Sequence, residues 1–237
     1  MQRLAIISGG SRGLGAAFCA QYTSAGYTVI EFSRSAPHVF SVAVDLADAA
    51  AAMQIFKAAL APLAAQVWDE VVVLNNAATL DPMGPSYKKT SEQLIANINT
   101  NITSGVLFLS QSIAQFQQHA GRKIIANISS GAALQGYAGW SLYCAAKAGL
   151  ENFVKSLALE QAQETQPFMV INISPGVMDT DGQALIRSTA VADFPDVQRF
   201  IDRAAAGGLR QPEAAATRIR DVMQRADLQS GGRYGID

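Results

Sequence analysis

The chain of 237 residues contains only two cysteines and two histidines. Two cysteines, Cys19 and Cys144, do not indicate a disulfide framework in a chain of this length, so we expect both to be reduced, packed thiols. Together with His38 and His119 they show no spacing typical of zinc ligands. The sequence therefore predicts neither a disulfide nor a metal site.

Charge is also scarce, and neither sign dominates. Charged residues make up 16% of the chain and the net charge is −1 at pH 7, with no basic run, so nothing indicates nucleic-acid binding. No apolar run reaches the roughly 18 residues that a membrane span needs. The first apolar strand begins so close to Met1 that a secretory leader has no room before it. We expect a cytoplasmic protein that does not bind membranes.

Apolar sequence is abundant, at 49% of the chain, which is enough for one large core. Almost continuous apolar runs alternate with helical stretches, a pattern typical of parallel strands covered by helices on both faces. The strands are predicted at LAIIS, YTVIEFS, FSVAVD, EVVVLN, RKIIANIS and FMVINIS, and the helices at residues 14–25, 46–65, 91–119, 141–163 and 212–225. The pattern predicts a single Rossmann-type α/β domain over residues 1–237, with a doubly wound parallel sheet. Between residues 177 and 209 the periodicity weakens, and we predict a mobile substrate lid there.

A glycine-rich turn, SGGSRGLG, joins the first strand to the first helix. Gly9, Gly13 and Gly15 permit a tight turn and let the backbone approach a pyrophosphate at the positive end of that helix. Ser11 and Leu14 belong to the same turn. In the context of strand, turn and helix, the motif predicts a dinucleotide-binding site.

The end of the second strand, EFSRS, bears on which dinucleotide binds. Arg34 stands where NAD enzymes usually carry a carboxylate. Ser33 is placed to donate to a phosphate, and Arg12 is placed to close from the glycine turn. Glu31 lies inside the strand, where we expect its side chain to be turned away. The two arginines predict NADPH, and the alternative is that they are solvated surface charges.

Further candidates lie at the carboxyl ends of the third and fourth strands, where ligands bind in open parallel sheets. Asp45 and Leu46 end the third strand, and Asn76 and Ala77 belong to NNAA after the fourth. We expect these four residues to border the adenine and the ribose. Asn101 lies in the middle of the long helix, and its position alone is more typical of a surface residue than of a functional one.

Ser130, Tyr143 and Lys147 form the most informative constellation. Tyr143 and Lys147 are four residues apart and share one helix face, where an ammonium favours the phenolate and lowers the Tyr pKa. Such a phenol can donate or accept a proton near neutral pH. Ser130 follows the strand KIIANIS and is placed to hold a carbonyl oxygen through its hydroxyl. The set predicts carbonyl and alcohol redox chemistry.

In order and spacing, these motifs and PGVMDT at residues 175–180 resemble the short-chain dehydrogenase/reductase family along essentially the whole chain. The one departure is NNAA where the family commonly has NNAG. The resemblance implies that Asn101 joins Ser130, Tyr143 and Lys147 as the catalytic set, with Asn97 and Asn99 as alternatives for the asparagine.

The resemblance also implies cofactor contacts and an assembly. The implied cofactor contacts, with the last at the nicotinamide, are Tyr143, Lys147, Pro175, Gly176, Val177 and Thr180. The family resemblance further implies a homodimer or homotetramer, with helices 91–119 and 141–163 at the interface.

Within the family, NISSGAALQGYAGWSLYCAAKAGL resembles the sepiapterin reductases and the related bacterial benzil (diketone) reductases. Trp140 is either an aromatic wall for a flat substrate or a core residue. Sepiapterin reductases carry an acidic residue near the C-terminus that anchors the pterin. This chain has Gly235 at that point, with Asp237 two residues further on, which weakens the case for a pterin substrate.

The favoured function is NADPH-dependent reduction of a ketone, an aromatic or vicinal dicarbonyl compound, to a secondary alcohol. In this scheme Tyr143 protonates the oxygen and Ser130 polarises it. Lys147 lowers the Tyr143 pKa and holds the nicotinamide ribose, and Asn101 positions a water that relays protons. Two alternatives are sepiapterin reduction and an NADPH-sensing regulator without chemistry; the intact Ser-Tyr-Lys set speaks against the regulator.

Overall fold

The computed structural model describes residues 1–236, and within them seven parallel strands form one sheet. The strands are β1 (Arg3–Ser8), β2 (Thr28–Ser33), β3 (Ser41–Ala43), β4 (Glu70–Asn75), β5 (Arg122–Ile128), β6 (Met169–Ser174) and β7 (Arg233–Gly235). Their spatial order is β3-β2-β1-β4-β5-β6-β7. The predicted doubly wound parallel sheet is confirmed.

Helices cover both faces of this sheet. They are α1 (Gly13–Ser24), α2 (Ala49–Ala64), α3 (Ser91–Ile98), α4 (Ser104–Phe116), α5 (Ser141–Gln161), α6 (Asp181–Ser188), α7 (Val197–Ala205) and α8 (Pro212–Met223). Helices α1 and α8 pack with Ala5 and Ile7 on one face, and α2, α4 and α5 pack with Leu4 and Ile6 on the other. Neighbouring strand residues point to opposite faces, so burial on both faces requires the continuous apolar runs of the sequence.

The long helix predicted over residues 91–119 is interrupted. A π-helical turn at Asn99–Thr103 separates α3 from α4, and such turns insert an extra residue into the helical register. Asn101 lies in this turn and is 3% exposed. The expectation of a surface position, based on spacing alone, is therefore wrong.

The predicted lid, residues 177–209, contains two short helices, α6 and α7. In α7 the apolar residues Val197, Phe200 and Ile201 face a cluster beneath the lid. A helix of nine residues is too short to show this periodicity clearly in the sequence. The mobility of the lid stays a prediction.

The strand order reverses at β1, which is flanked by β2 on one side and β4 on the other. Ligands of open parallel sheets bind outside the carboxyl ends of the strands at such a point. A cleft of about 1870 Å³ lies there and extends beneath the lid helices α6 and α7. The fold therefore places the cleft where the sequence predicts the nucleotide.

Candidate active site

The glycine turn is built by close backbone contacts that leave no space for side chains. Gly9 has φ +72°, a conformation that favours glycine. A Cβ on Gly15 would lie 1.9 Å from the Gly9 carbonyl oxygen, and a Cβ on Gly9 would lie 2.8 Å from the Ala77 Cα. Glycine at these two positions is therefore required by the packing of the turn.

Side chains from neighbouring strand ends brace the turn. The Asn76 side chain donates to the Gly9 carbonyl (3.0 Å), and the Ser8 hydroxyl accepts from the backbone N–H groups of Asn76 (3.0 Å) and Ala77 (3.2 Å). Asn76 and Ala77, which are predicted to border the adenine and the ribose, line the cleft and also support the glycine turn. Asp45 and Leu46 line the same cleft.

The first turn of α1 fits a pyrophosphate. Its N-cap residue, Arg12, makes no side-chain cap hydrogen bond to the helix, so no side chain occupies the N–H groups there. The turn residues Gly9, Ser11, Gly13 and Leu14 line the cleft in front of that helix end. A free helix N-terminus behind a glycine turn suits the phosphates of a dinucleotide.

The end of β2 differs from the sequence-based prediction. The Ser33 hydroxyl donates to the Glu31 carboxylate (3.0 Å), so it is already engaged and does not project freely toward a phosphate. Glu31 is completely buried and also accepts from the Gly10 N–H (3.1 Å) and from Ser41. The carboxylate therefore fixes the glycine turn, and it lies outside the cleft as expected. Residues two apart in a strand share one face, so the spacing of Glu31 and Ser33 in β2 is the signal in the sequence that could have indicated this contact.

Both arginines, Arg12 and Arg34, line the cleft, but their surroundings differ. Arg34 is exposed on the cleft wall. The Arg12 guanidinium forms an ion pair with Asp181 at the start of α6, with a distance of 3.1 Å between Nη1 and Oδ2. Both partners are more than 70% exposed, and such pairs are weak enough to exchange for another anion.

The segment after β6 crosses the cleft opposite the glycine turn. Its residues Pro175, Gly176, Val177 and Thr180 all line the cleft. Thr180 caps α6 by accepting from the Gln183 N–H (3.4 Å), and its methyl group lies against Gly13. The residues of this segment that are predicted to contact the cofactor therefore line the cleft, and Thr180 lies against the glycine turn.

Ser130, Tyr143 and Lys147 converge on the same cleft. Ser130 follows β5, and its hydroxyl accepts from the Ala132 N–H (3.2 Å). Tyr143 and Lys147 lie one turn apart in α5, and the Lys147 Nζ atom is 5.6 Å from the centre of the Tyr143 ring. The same ammonium donates to the Ile128 carbonyl at 2.7 Å. The structure thus brings together the three residues that the sequence predicts.

The predicted lowering of the Tyr143 pKa by Lys147 is not what the structure shows. Burial raises the pKa of Tyr143 to about 12, and the nearby Ser130 hydroxyl offsets part of that rise. Burial also lowers the pKa of Lys147 to about 8, against the opposing charge of Glu151. Desolvation outweighs the attraction between the two groups because the ammonium interacts with a backbone carbonyl and lies beside the ring.

Asn101 does not line the cleft, whereas Asn97 and Thr100 do. Its amide accepts from the Thr79 N–H (2.7 Å) and donates to the Thr79 carbonyl (2.8 Å) and to Asn97 (3.1 Å). The side chain is therefore fully used in holding the loop after β4. These contacts give no support to the water-positioning role that the family resemblance implies for Asn101.

Trp140 is buried in an aromatic cluster that joins the start of α5 to the predicted lid. Its ring stacks on Phe194 at 4.5 Å and meets Phe200 and Tyr143 at 5.4 and 5.6 Å. At 6% exposure it is mainly a core residue, although it also borders the cleft. Stacked and edge-to-face rings of this kind stabilise the lid against α5.

The sequence analysis does not identify Glu151, a buried acidic residue close to Lys147. Glu151 lies one turn after Lys147 in α5, is 4% exposed, and accepts from Ser129 and from Arg233 of β7 (2.8 Å). Arg233 also donates to the Ser130 carbonyl (3.2 Å). The spacing of four residues from Lys147 is the only signal in the sequence, because β7 is distant along the chain.

The lid contributes further wall residues that its weak periodicity conceals. Those that line the cleft from α6 and α7 are Asp181, Gly182, Gln183, Leu185, Ile186, Arg199, Phe200 and Arg203. Gly235 lies in β7 with open space around it and does not border the cleft. Asp237 lies outside the described residues.

Other kinds of site are missing from the part of the chain that the structure describes. In residues 1–236, no cluster of three or more His, Cys, Asp or Glu side chains is placed to hold a metal ion. No helix in the same range is both long and apolar enough to cross a membrane.

Comparison with known proteins agrees with this geometry. Residues 3–190 match the family model of the short chain dehydrogenases. The chain is 33% identical to the benzil reductase ((S)-benzoin forming) of Bacillus subtilis, over 98% of each protein, and 28% identical to the sepiapterin reductase of Mus musculus, over 95% of this chain and 93% of that one. The crystal structure of the KRED1-Pglu enzyme is 26% identical, with a TM-score of 0.81, and covers 98% of this chain and 100% of its own. The chain belongs to the short-chain dehydrogenase family, whose members use a nicotinamide cofactor.

Proposed function

We propose that this short-chain dehydrogenase is an NADPH-dependent carbonyl reductase that converts an aromatic or vicinal diketone into a secondary alcohol. The observation that carries the proposal is the placement of Ser130, Tyr143 and Lys147 in one cleft between the glycine turn and an aromatic cluster. A cofactor held by the turn and a carbonyl held near Tyr143 would share this cleft.

The chain supplies the proton and the electrostatics of such a reaction. NADPH, when bound, supplies the hydride that the carbonyl carbon accepts. Tyr143 gives its phenolic proton to the carbonyl oxygen, so the C=O double bond becomes a C–OH single bond. Ser130 donates a hydrogen bond to the same oxygen, and the Lys147 ammonium stabilises the phenolate left on Tyr143 until solvent returns a proton.

NADPH is preferred to NADH in this proposal because of the charges near the end of β2. Arg34 is exposed on the wall, and Arg12 reaches the same cleft from the glycine turn. The carboxylate of Glu31 would suit a ribose hydroxyl, but it is buried and bonded to Gly10, Ser33 and Ser41. Guanidinium groups favour a 2′-phosphate.

The substrate class is supported by the lid and by the relatives. The cleft wall near Tyr143 carries Trp140, Tyr137 and Phe200, which suit a flat aromatic ketone. Similarity to benzil reductases over the whole chain favours a diketone. Similarity to sepiapterin reductases makes a pterin side-chain ketone the second candidate, with Gly235 where those enzymes carry an acid.

We also propose a homo-oligomer, dimer or tetramer, in which the α3–α4 segment and α5 face a second copy. Leu159 of α5 is 74% exposed and Ile95 of α3 is 58% exposed, so both elements present apolar surface. Sedimentation at working concentration tests this assembly, since a mass near 25.1 kDa alone would contradict it.

The function is tested with a panel of benzil, other aromatic ketones and sepiapterin, followed by NADPH absorbance. The proposal expects turnover of aromatic ketones, with benzil ahead of sepiapterin. Preferential turnover of sepiapterin would favour the second candidate. NADPH binding without turnover of any carbonyl would indicate a sensor that lacks chemistry.

A further inference from the structure

Gln183 of α6 is a buried amide that lacks a partner within the chain. It is 3% exposed, and neither its Nε2 nor its Oε1 atom has a hydrogen-bond partner. Burial of such atoms without partners destabilises a folded chain, and most buried polar groups in native proteins are satisfied. Because Gln183 lines the cleft, a bound molecule can supply the missing partners.

The position of Gln183 relates it to the reacting groups. Thr180, three residues before it, lies against the glycine turn at Gly13. Ile186, three residues after it, belongs to the apolar cluster that contains Trp140 and borders Tyr143. Gln183 and Ile186 are three residues apart in α6 and share one face of it, and Thr180 is the residue that caps its start. Gln183 therefore lies between the cofactor side of the cleft and the substrate side.

We propose that Gln183 is a specificity-determining residue that binds the oxygen on the carbon next to the reacting carbonyl. The inference rests on the proposed carbonyl reduction and narrows its substrates to ketones with an adjacent oxygen, the 1,2-diketones and α-hydroxy ketones. The Nε2 group donates to the second carbonyl of a diketone. With an α-hydroxy ketone, the hydroxyl can also donate to Oε1. A simple ketone satisfies neither atom and leaves the buried amide unpaired.

A primary amide can also form hydrogen bonds with the carboxamide of a nicotinamide. The test must therefore distinguish binding of Gln183 to the ketone substrate from binding to the cofactor. A contact with the substrate oxygen affects only substrates that carry this oxygen. A contact with the cofactor affects every substrate and the affinity for NADPH. Benzil and deoxybenzoin form a suitable pair, because deoxybenzoin has the same two rings and one carbonyl but lacks the second oxygen.

The experiment compares the wild-type protein with Gln183→Met, which keeps an unbranched side chain of similar length and removes both polar atoms. Gln198→Met is the matched control, because Gln198 lies on the exposed side of the lid, bonded to Asp202, and does not border the cleft.

We expect Gln183→Met to lower kcat/KM for benzil about tenfold or more, as loss of a buried hydrogen bond to substrate does. For deoxybenzoin we expect less than about a twofold change, with an unchanged Kd for NADPH measured by fluorescence. The Tm should be unchanged or higher, since a buried unpaired amide is removed.

A second variant, Gln183→Leu, should show the same selective loss, because its apolar side chain cannot donate to the substrate oxygen. Equal losses for both ketones with weaker NADPH binding would assign the amide to the cofactor and overturn the inference. Unchanged kcat/KM for benzil in both folded variants would overturn it as well. Failure of the proposed function is a separate result, since the wild-type protein would then reduce neither ketone.

Discussion

The ammonium of Lys147 lies 5.6 Å from the ring centre of Tyr143 and donates to the Ile128 carbonyl. Burial shifts both groups toward their neutral forms, with the pKa of Tyr143 raised to about 12 and that of Lys147 lowered to about 8. A phenol with so high a pKa keeps its proton at neutral pH and is ready to donate it. The sensitive partner is then Lys147, whose charge is lost just above neutrality.

The first prediction concerns the pH profile of ketone reduction. We expect kcat/KM to fall above about pH 8, because neutral Lys147 no longer stabilises the phenolate that forms on Tyr143. The titratable and charged groups around Lys147 are Tyr143 and Glu151 on α5 and Arg233 of β7, which binds Glu151. Glu151→Gln removes the charge that favours the ammonium, so the alkaline fall should move to lower pH. In the control Glu160→Gln, an exposed position of the same helix, the fall should stay in place. A fall that does not move in Glu151→Gln would contradict this role.

The second prediction concerns stability. The pKa of Lys147 is about 8 in the folded chain and 10.5 for a lysine exposed to water, as in the unfolded chain, so between these values the unfolded chain binds more protons. The free energy of unfolding should therefore rise with pH from about 8 to 10.5. Lys147→Met lacks this group, and wild type should gain stability relative to it over that window. Urea denaturation of both proteins at pH 7 and pH 10 measures the difference. If that difference is the same at the two pH values, Lys147 is not buried as the structure shows.

The third prediction concerns cofactor choice. Arg34→Asp replaces an attractive charge by a repulsive one and offers a carboxylate to a free ribose hydroxyl. We expect the ratio of kcat/KM for NADPH to that for NADH to fall at least about tenfold, after allowance for the exposure of Arg34. Lys57→Asp makes the same change of charge on the exposed surface of α2 and should leave the ratio alone. Equal use of both cofactors by the wild-type protein would show that the arginines are only surface charges.

The sequence predicts the sheet and the convergence of Ser130, Tyr143 and Lys147, because both depend on local patterns. Continuous apolar runs indicate strands buried on both faces, and a spacing of four residues places Tyr143 and Lys147 on one helix face. Strand ends of a parallel sheet meet at one edge, which brings Ser130 to the same cleft.

What the sequence could not predict depends on burial and on contacts between distant elements. The predicted direction of the Tyr143 pKa shift is wrong. The spacing of four residues shows that Tyr143 is close to Lys147, but it does not show how deeply Tyr143 is buried. The bond from the Gly10 N–H to Glu31 and the pairing of Arg12 with Asp181 bring together groups that no local pattern relates. Gln183 is noticeable only when its amide is seen to be buried and unpaired.

The most direct test of the proposed carbonyl reductase is Tyr143→Phe, which removes the phenolic oxygen and little else. Loss of the proton donor should lower kcat for benzil by at least about a hundredfold. The Kd for NADPH, measured by fluorescence titration, should stay within about twofold of wild type, because the glycine turn and Arg34 are untouched. We predict loss of turnover with retained NADPH binding. Retention of more than about a tenth of the wild-type kcat would contradict the assignment of Tyr143 as proton donor and with it the central claim.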